Sequence, residues 1–106
     1  MILITKLARN SALVIGEPLV VHDVPSEEYL RVIEETVGKQ GGWDAVQAWH
    51  VNTKCASFTS SRGLAALVNA LASLHKIDVY LLEDGQNPRK IHLPLHPQYD
   101  GEPNIG

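Results

Sequence analysis

The sequence predicts an α+β domain in two layers: a mixed sheet of about five strands, with two main helices, residues 26–37 and 61–75, on one face. Both helical segments place their apolar residues in one stripe at three- and four-residue spacing, as helices that cover a sheet do. Short β-branched runs bounded by turn residues precede, separate and follow them. The predicted element order is therefore β-β-(β)-α-β-α-β-β.

The N-terminal part of the chain predicts short strands. Its apolar bursts are separated by Arg9-Asn10-Ser11 and by Gly16-Glu17-Pro18, which are residue types that favour turns. The bursts themselves cover residues 2–4, 12–15 and 19–21. We predict two or three strands here, the last pair forming a hairpin around residues 16–18.

The first helix is predicted by its apolar stripe, its capping residues and its charges together. The stripe consists of Tyr29, Val32, Ile33, Thr36 and Val37. Ser26 can accept a hydrogen bond from an unpaired amide of the first turn, and Arg31 can pair with both Glu27 and Glu35 at four-residue spacing. Gly38 supplies the left-handed residue that ends many helices, so we expect the helix to stop there.

The region after the glycine-rich loop predicts a strand, a helix and a second strand. Residues 49–58 form the predicted strand, with alternate side chains on one face. Ser60 or Ser61 is expected to cap the helix, which ends near His75 and Lys76. Two parallel strands joined by a helix form a crossover unit, which we expect to be right-handed.

The C-terminal part predicts a further hairpin and then an irregular end. Residues 77–82 have the type and length of a strand, residues 84–88 favour a turn, and residues 89–95 form the returning strand, shortened by Pro94. The residues that follow offer almost nothing to bury. We therefore expect residues 1–96 to form a single domain and residues 97–106 an irregular tail.

Composition excludes several classes of protein. With 106 residues, 44% of them hydrophobic, the chain can bury a core as one domain. Its longest purely apolar run has five residues, whereas a membrane span needs roughly 20. Nine basic residues against twelve acidic ones argue against nucleic acid as a partner, although a local basic patch is compatible with them.

We expect a cytoplasmic protein without cofactor or metal. The lone Cys55 permits no intramolecular disulfide, and residues 1–20 lack the apolar block and small residues of a secretory signal. His92 and His96 have the spacing of metal ligands on a helix, but they flank Pro94 in a strand. On a straight strand the two imidazoles would be about 13 Å apart, so we interpret them as exposed side chains.

The candidate binding residues lie in two places. Ser60, Ser61, Arg62 and Gly63 stand between a predicted strand and helix, where free amides, hydroxyls and a guanidinium can hold an anion. Trp43 and Trp49, six residues apart beside Gly41-Gly42, are the chain's only tryptophans, a residue type that is enriched at interfaces. The alternatives are a serine cap with a solvated Arg62, and tryptophans that fill a small core.

A non-catalytic module that binds a small ligand, a peptide or a protein is the function we expect. Its groove would lie near Trp43, Trp49 and residues 59–63. The alternative is a small hydrolase or transferase that uses Cys55 or a histidine, with the amides of Ser60–Gly63 holding an anion. For Cys55 itself we favour the interpretation as a small buried hydrophobe.

A homo-oligomer, most simply a two-fold dimer, is also expected. Leu81 and Leu82 are adjacent and therefore point to both faces of the sheet. Ile91, Leu93 and Leu95 add a further apolar row. The second face of the sheet is thus not fully polar, which favours burial against another copy.

Overall fold

The computed structural model describes residues 1–16, 18–54, 57–83 and 85–96. Within them, six strands and two α-helices confirm the predicted α+β class and element order. The strands are β1 (Ile2–Leu7), β2 (Leu13–Ile15), β3 (Val20–His22), β4 (Ala48–Asn52), β5 (Asp78–Leu81) and β6 (Arg89–Ile91), and the helices are α1 (Tyr29–Lys39) and α2 (Phe58–His75). Two 3₁₀ turns, Ser26–Glu28 and Trp43–Ala45, precede α1 and β4.

All six strands form one mixed sheet in the order β3-β2-β1-β4-β5-β6. The three central strands, β1, β4 and β5, run parallel, and antiparallel hairpins extend the sheet at both ends. The chain leaves β1 toward β2 and leaves β4 toward β5, which lies on the other side. The two connections therefore separate at the carboxyl ends of β1 and β4.

One face of the sheet is covered by both helices, and no helix of the described residues packs on the other. The core joins alternate strand residues to the apolar stripes of α1 and α2; it includes Leu3, Leu13, Trp49, Val51, Val79, Val32, Ile33, Leu64 and Val68. By alternation, the intervening strand residues lie on the opposite face. We call this the open face; it carries Ile4, Lys6, Val14, His50, Asn52 and Tyr80.

The start of α1 differs from the prediction in its cap. The chain enters through a 3₁₀ turn capped by Pro25, and the Ser26 hydroxyl makes no capping hydrogen bond because Ser26 already lies inside that turn. Arg31 pairs with Glu28 and Glu35, at 2.7 and 3.2 Å, rather than with Glu27. Both carboxylates, Glu28 first, raise the pKa of the exposed Arg31 guanidinium.

The end of α1 also lies later than the sequence predicts. The helix passes through Gly38 and ends at Lys39. Gly41 and Gly42 adopt the positive φ angles, 109° and 86°, and the Gly42 amide donates to the Val37 carbonyl at 2.9 Å. The left-handed glycines therefore follow the helix by two residues, since its last carbonyls are satisfied from the loop.

The boundary between β4 and α2 is set by two side-chain hydrogen bonds. The Asn52 Oδ1 atom accepts from the Lys54 amide at 2.8 Å, a local turn that ends the strand well short of residue 58. The Ser57 hydroxyl accepts from the Ser60 amide at 3.2 Å, so Ser57 is the cap of α2. The predicted caps Ser60 and Ser61 were wrong because both lie inside the helix.

The last strand is shorter than predicted because α2 draws the chain away from the sheet. Asn69 on α2 holds the backbone of Leu95 through two hydrogen bonds, one to its carbonyl at 2.9 Å and one from its amide at 2.6 Å. Leu95 is buried as a result. The predicted tail, residues 97–106, lies outside the described residues. No helix in the described ranges is long and apolar enough to cross a bilayer.

Candidate functional site

Trp49 is a core residue. Its side chain is fully buried, and its indole Nε1 donates to the Thr5 Oγ1 atom at 2.8 Å, which links β4 to β1. Trp43 lies over it with ring centroids 5.6 Å apart. The partly exposed Trp43 ring also stacks on His75, with centroids 4.5 Å apart and planes 6° from parallel.

The serines at the start of α2 point into the protein rather than into a groove. Ser60 and Ser61 are buried, and their amides already bond to the Ser57 side chain and carbonyl. Arg62 is exposed and Gly63 is partly buried. Two of the amides proposed to hold an anion are therefore occupied by the helix itself.

The structure does not bring the predicted tryptophans and the 59–63 segment together. Trp43 stacks on His75, the last residue of α2, while residues 59–63 form its first turns. At 1.5 Å per residue, Gly63 and His75 are about 18 Å apart along the axis. The two predicted binding regions thus stand at opposite ends of one helix, and a small ligand cannot contact both.

The alternative chemistry is only partly described by the structure. Cys55 lies outside the described residues. His92 and His96 line a cavity of about 370 Å³ together with Arg89 and Leu81. Among the described side chains, no group of three or more histidines, cysteines and carboxylates is placed to hold a metal ion.

A different site stands at the carboxyl ends of β1 and β4. A groove of about 580 Å³ opens there on the open face of the sheet. In open sheets that contain parallel strands, ligands bind where the connections of neighbouring strands depart in opposite directions, as they do here. We call it the cationic groove; its described lining is Lys6, Arg9 and Lys54 with Leu7, Ala8, Val14 and Asn52.

Arg9 is held by a tight, well-bonded turn between β1 and β2. The Ala8 amide donates to the Ala12 carbonyl at 2.9 Å, and the Ser11 amide returns to the Ala8 carbonyl at 2.9 Å. From the core, the Tyr29 hydroxyl donates to the Ser11 carbonyl at 2.6 Å. The turn is thereby fixed to α1, so the guanidinium is carried by a positioned loop.

Lys6 and Asn52 face each other across the central strand pair. Lys6 is the register partner of Asn52 on β4 and of Val14 on β2, so all three share one row of the open face. The Asn52 amide oxygen is engaged by the Lys54 amide. Its NH₂ group has no acceptor among the described residues, which leaves two donors for a ligand in the groove.

The described lining of the groove is positively charged. It holds three cationic side chains and no carboxylate. Neither Lys6 nor Arg9 takes part in an ion pair of the described residues, which include pairs of Arg31, Arg89 and Lys90. Closely spaced like charges attract an anion and repel one another, so the arrangement is suited to bind a negatively charged group.

The positions of the cationic residues along the sequence indicate this groove, although the overall composition does not. Lys6, Arg9 and Lys54 come at or just after the ends of two strands, where ligand-binding side chains collect in parallel sheets. Residues 6 and 54 become neighbours only if β1 and β4 pair in parallel. A net charge of −3 over the whole chain gives no hint of a local cluster.

Similarity to known proteins does not identify the ligand of the groove. No family model, no curated protein and no solved structure matches the chain. Function is therefore inferred from the geometry and chemistry of the described residues.

The burial of Trp49 gives a test of its role. We expect Trp49→Ala to lower the free energy of unfolding by about 3–5 kcal/mol, because it empties a core site and leaves Thr5 without its indole donor. Trp43→Ala should lower the free energy of unfolding by clearly less, because Trp43 is partly exposed. Urea unfolding followed by circular dichroism measures both. A Trp49→Ala variant of unchanged stability would contradict the core role of Trp49 and favour a role in binding.

Proposed function

We propose that the protein is a non-catalytic binding module for a small anionic ligand, held in the cationic groove by Lys6, Arg9 and Lys54. The observation that carries the proposal is the convergence of three cations and no carboxylate, among the described lining residues, at the carboxyl ends of two parallel strands. Phosphate and carboxylate groups are the anions that such side chains bind.

The size and the construction of the groove support this proposal. Its volume of about 580 Å³ lies within the range of small-molecule sites. Lys6 is carried by a central strand and Arg9 by a turn anchored to Tyr29. A ligand therefore meets side chains on rigid elements, which lowers the entropy lost on binding.

The lining chemistry favours binding over catalysis. The described lining residues offer positive charge and N–H donors, and they include no histidine, cysteine or carboxylate. Those are the groups that most often transfer protons, and two of them are common nucleophiles, so the described lining offers only its lysines for either role. The hydrolase or transferase alternative would have to draw on Cys55 or on histidines elsewhere in the molecule.

The proposal predicts charge-dependent binding of inorganic phosphate. Inorganic phosphate is titrated into the protein at low ionic strength, and binding is measured by calorimetry or NMR. We expect a weak 1:1 complex that added salt dissociates. Lys6→Gln and Arg9→Gln should each weaken it about two- to tenfold, the effect of losing one partly exposed ionic contact.

Arg62→Gln is the matched control. It removes the same unit of charge at an exposed position, and it belongs to the other candidate region, residues 60–63. We expect it to leave phosphate affinity almost unchanged. If Arg62→Gln weakens binding and the Lys6 and Arg9 variants do not, the anion sits at the start of α2 and the cationic groove is the wrong site.

A two-fold dimer, in which β3 of one copy pairs with β3 of another, is a second part of the proposal. The edge strand β3 presents Val20 and Val21, 51% and 62% exposed, with Leu19 beside them. The opposite edge, β6, presents Arg89 and Lys90. Charged edges resist strand pairing and apolar edges favour it, so β3 is the edge that a second copy would extend.

We also propose a cytoplasmic location, which suits a chain with the lone Cys55.

Light scattering coupled to size exclusion tests the dimer. At micromolar concentration we expect a species of twice the chain mass of 11.6 kDa. Val21→Lys should convert it to a monomer, because a charge on each copy would meet its symmetry mate at the paired edge. Leu74→Lys changes another exposed apolar residue, on α2, and should leave the dimer intact. A wild-type monomer would contradict the proposal.

A further inference from the structure

The open face carries an aromatic pair beside the cationic groove. His50 on β4 and Tyr80 on β5 are direct register partners, with ring centroids 5.1 Å apart and planes tilted by 54°. Both residues are only partly buried, and the Tyr80 hydroxyl has no hydrogen-bond partner among the described residues. A planar ligand can therefore reach both rings.

The register of the sheet places the aromatic pair next to the groove. Ile4, His50 and Tyr80 form one cross-strand row, and Lys6 and Asn52 belong to the next row of the same face. From the spacing of strands and of alternate residues, the Cα atoms of Lys6 and His50 are about 8 Å apart. One small molecule can thus contact a cation and an aromatic ring at the same time.

We propose that the ligand is a mononucleotide, an inference that rests on the proposed function. Its phosphate lies in the cationic groove near Lys6 and Arg9, and its base packs against His50 and Tyr80 with Ile4 as an apolar neighbour. An inorganic phosphate or a sugar phosphate would leave the rings unused. Stacking of a base on aromatic side chains adds affinity with little dependence on which base is present.

The charges beyond the aromatic pair favour one nucleotide over a strand of nucleic acid. On β5, Asp78 lies next to Tyr80 on the open face, on the side away from the groove. Its carboxylate pairs with Lys90 on β6 at 3.5 Å, so the charge of Lys90 is already partly neutralised. A second phosphate in that direction would meet an acidic side chain, and the chain as a whole carries a net charge of −3.

Four probes measure the contributions of the phosphate and of the base to affinity separately. Inorganic phosphate, ribose 5-phosphate, adenosine and adenosine 5′-monophosphate are titrated into the wild-type protein at low ionic strength. We expect adenosine 5′-monophosphate to bind about tenfold more tightly than ribose 5-phosphate, which corresponds to one stacked base. Adenosine alone should bind more weakly than its monophosphate, because it lacks the charge that the groove recognises.

Variants of the aromatic pair assign the gain to His50 and Tyr80. Tyr80→Val and His50→Val retain a β-branched residue in the strand and should remove most of the tenfold gain, while ribose 5-phosphate affinity stays the same. Tyr80→Phe keeps a ring and should keep the gain. His22→Val is the control. His22 on β3 is the register partner of Leu13 and shares the helix-covered face with it, so its loss should leave the affinity for both probes unchanged. Thermal unfolding confirms that each variant is folded.

The outcomes distinguish this inference from the function on which it rests. Equal affinity for ribose 5-phosphate and adenosine 5′-monophosphate would overturn the mononucleotide assignment and leave the anion groove in place. Failure of every phosphorylated probe to bind would overturn both. Much tighter binding of a short single-stranded oligoadenylate than of the monophosphate would replace the mononucleotide with a nucleic-acid strand.

Discussion

The parallel pairing of β1 with β4 fixes the positions of both the core and the cationic groove. Five register pairs join the two strands, and the buried hydrogen bond from Trp49 to Thr5 ties them on the helix-covered side. Because the chain leaves the two strands in opposite directions, their carboxyl ends frame a crevice. The same register that fixes the core on one face sets Lys6 beside Asn52 on the other.

The two helices determine which face is left for function. Successive crossover connections that move in one direction along a sheet and have the same handedness place their helices on the same face. Here α1 and α2 both pack on one face of the sheet. The opposite face must then be covered by a partner or tolerate water. Its residues suit the second condition near the groove, where Lys6, Asn52 and the half-buried His50–Tyr80 pair replace the aliphatic side chains of a core.

The sequence predicted the architecture because apolar periodicity is a repeated signal: the stripes of α1 and α2 each contain several residues at helical spacing. Boundaries depend on single hydrogen bonds, such as those of Ser57 and Asn52, which a pattern of apolar residues does not contain. The pattern of the sequence does not predict the groove, since Lys6 and Lys54 are distant along the chain and meet only through the pairing of β1 with β4. Residue type alone indicates Trp43, Trp49 and residues 60–63 as binding residues, but Trp49, Ser60 and Ser61 are buried.

Amide NMR of the uniformly labelled protein, titrated with inorganic phosphate, locates the bound anion without any substitution. We predict that the largest saturable shift changes fall on residues 6–9 and 52–54, at the ends of β1 and β4. Shift changes confined to residues 59–63, or to the surroundings of Trp43 and His75, with residues 6–9 unaffected, would contradict it.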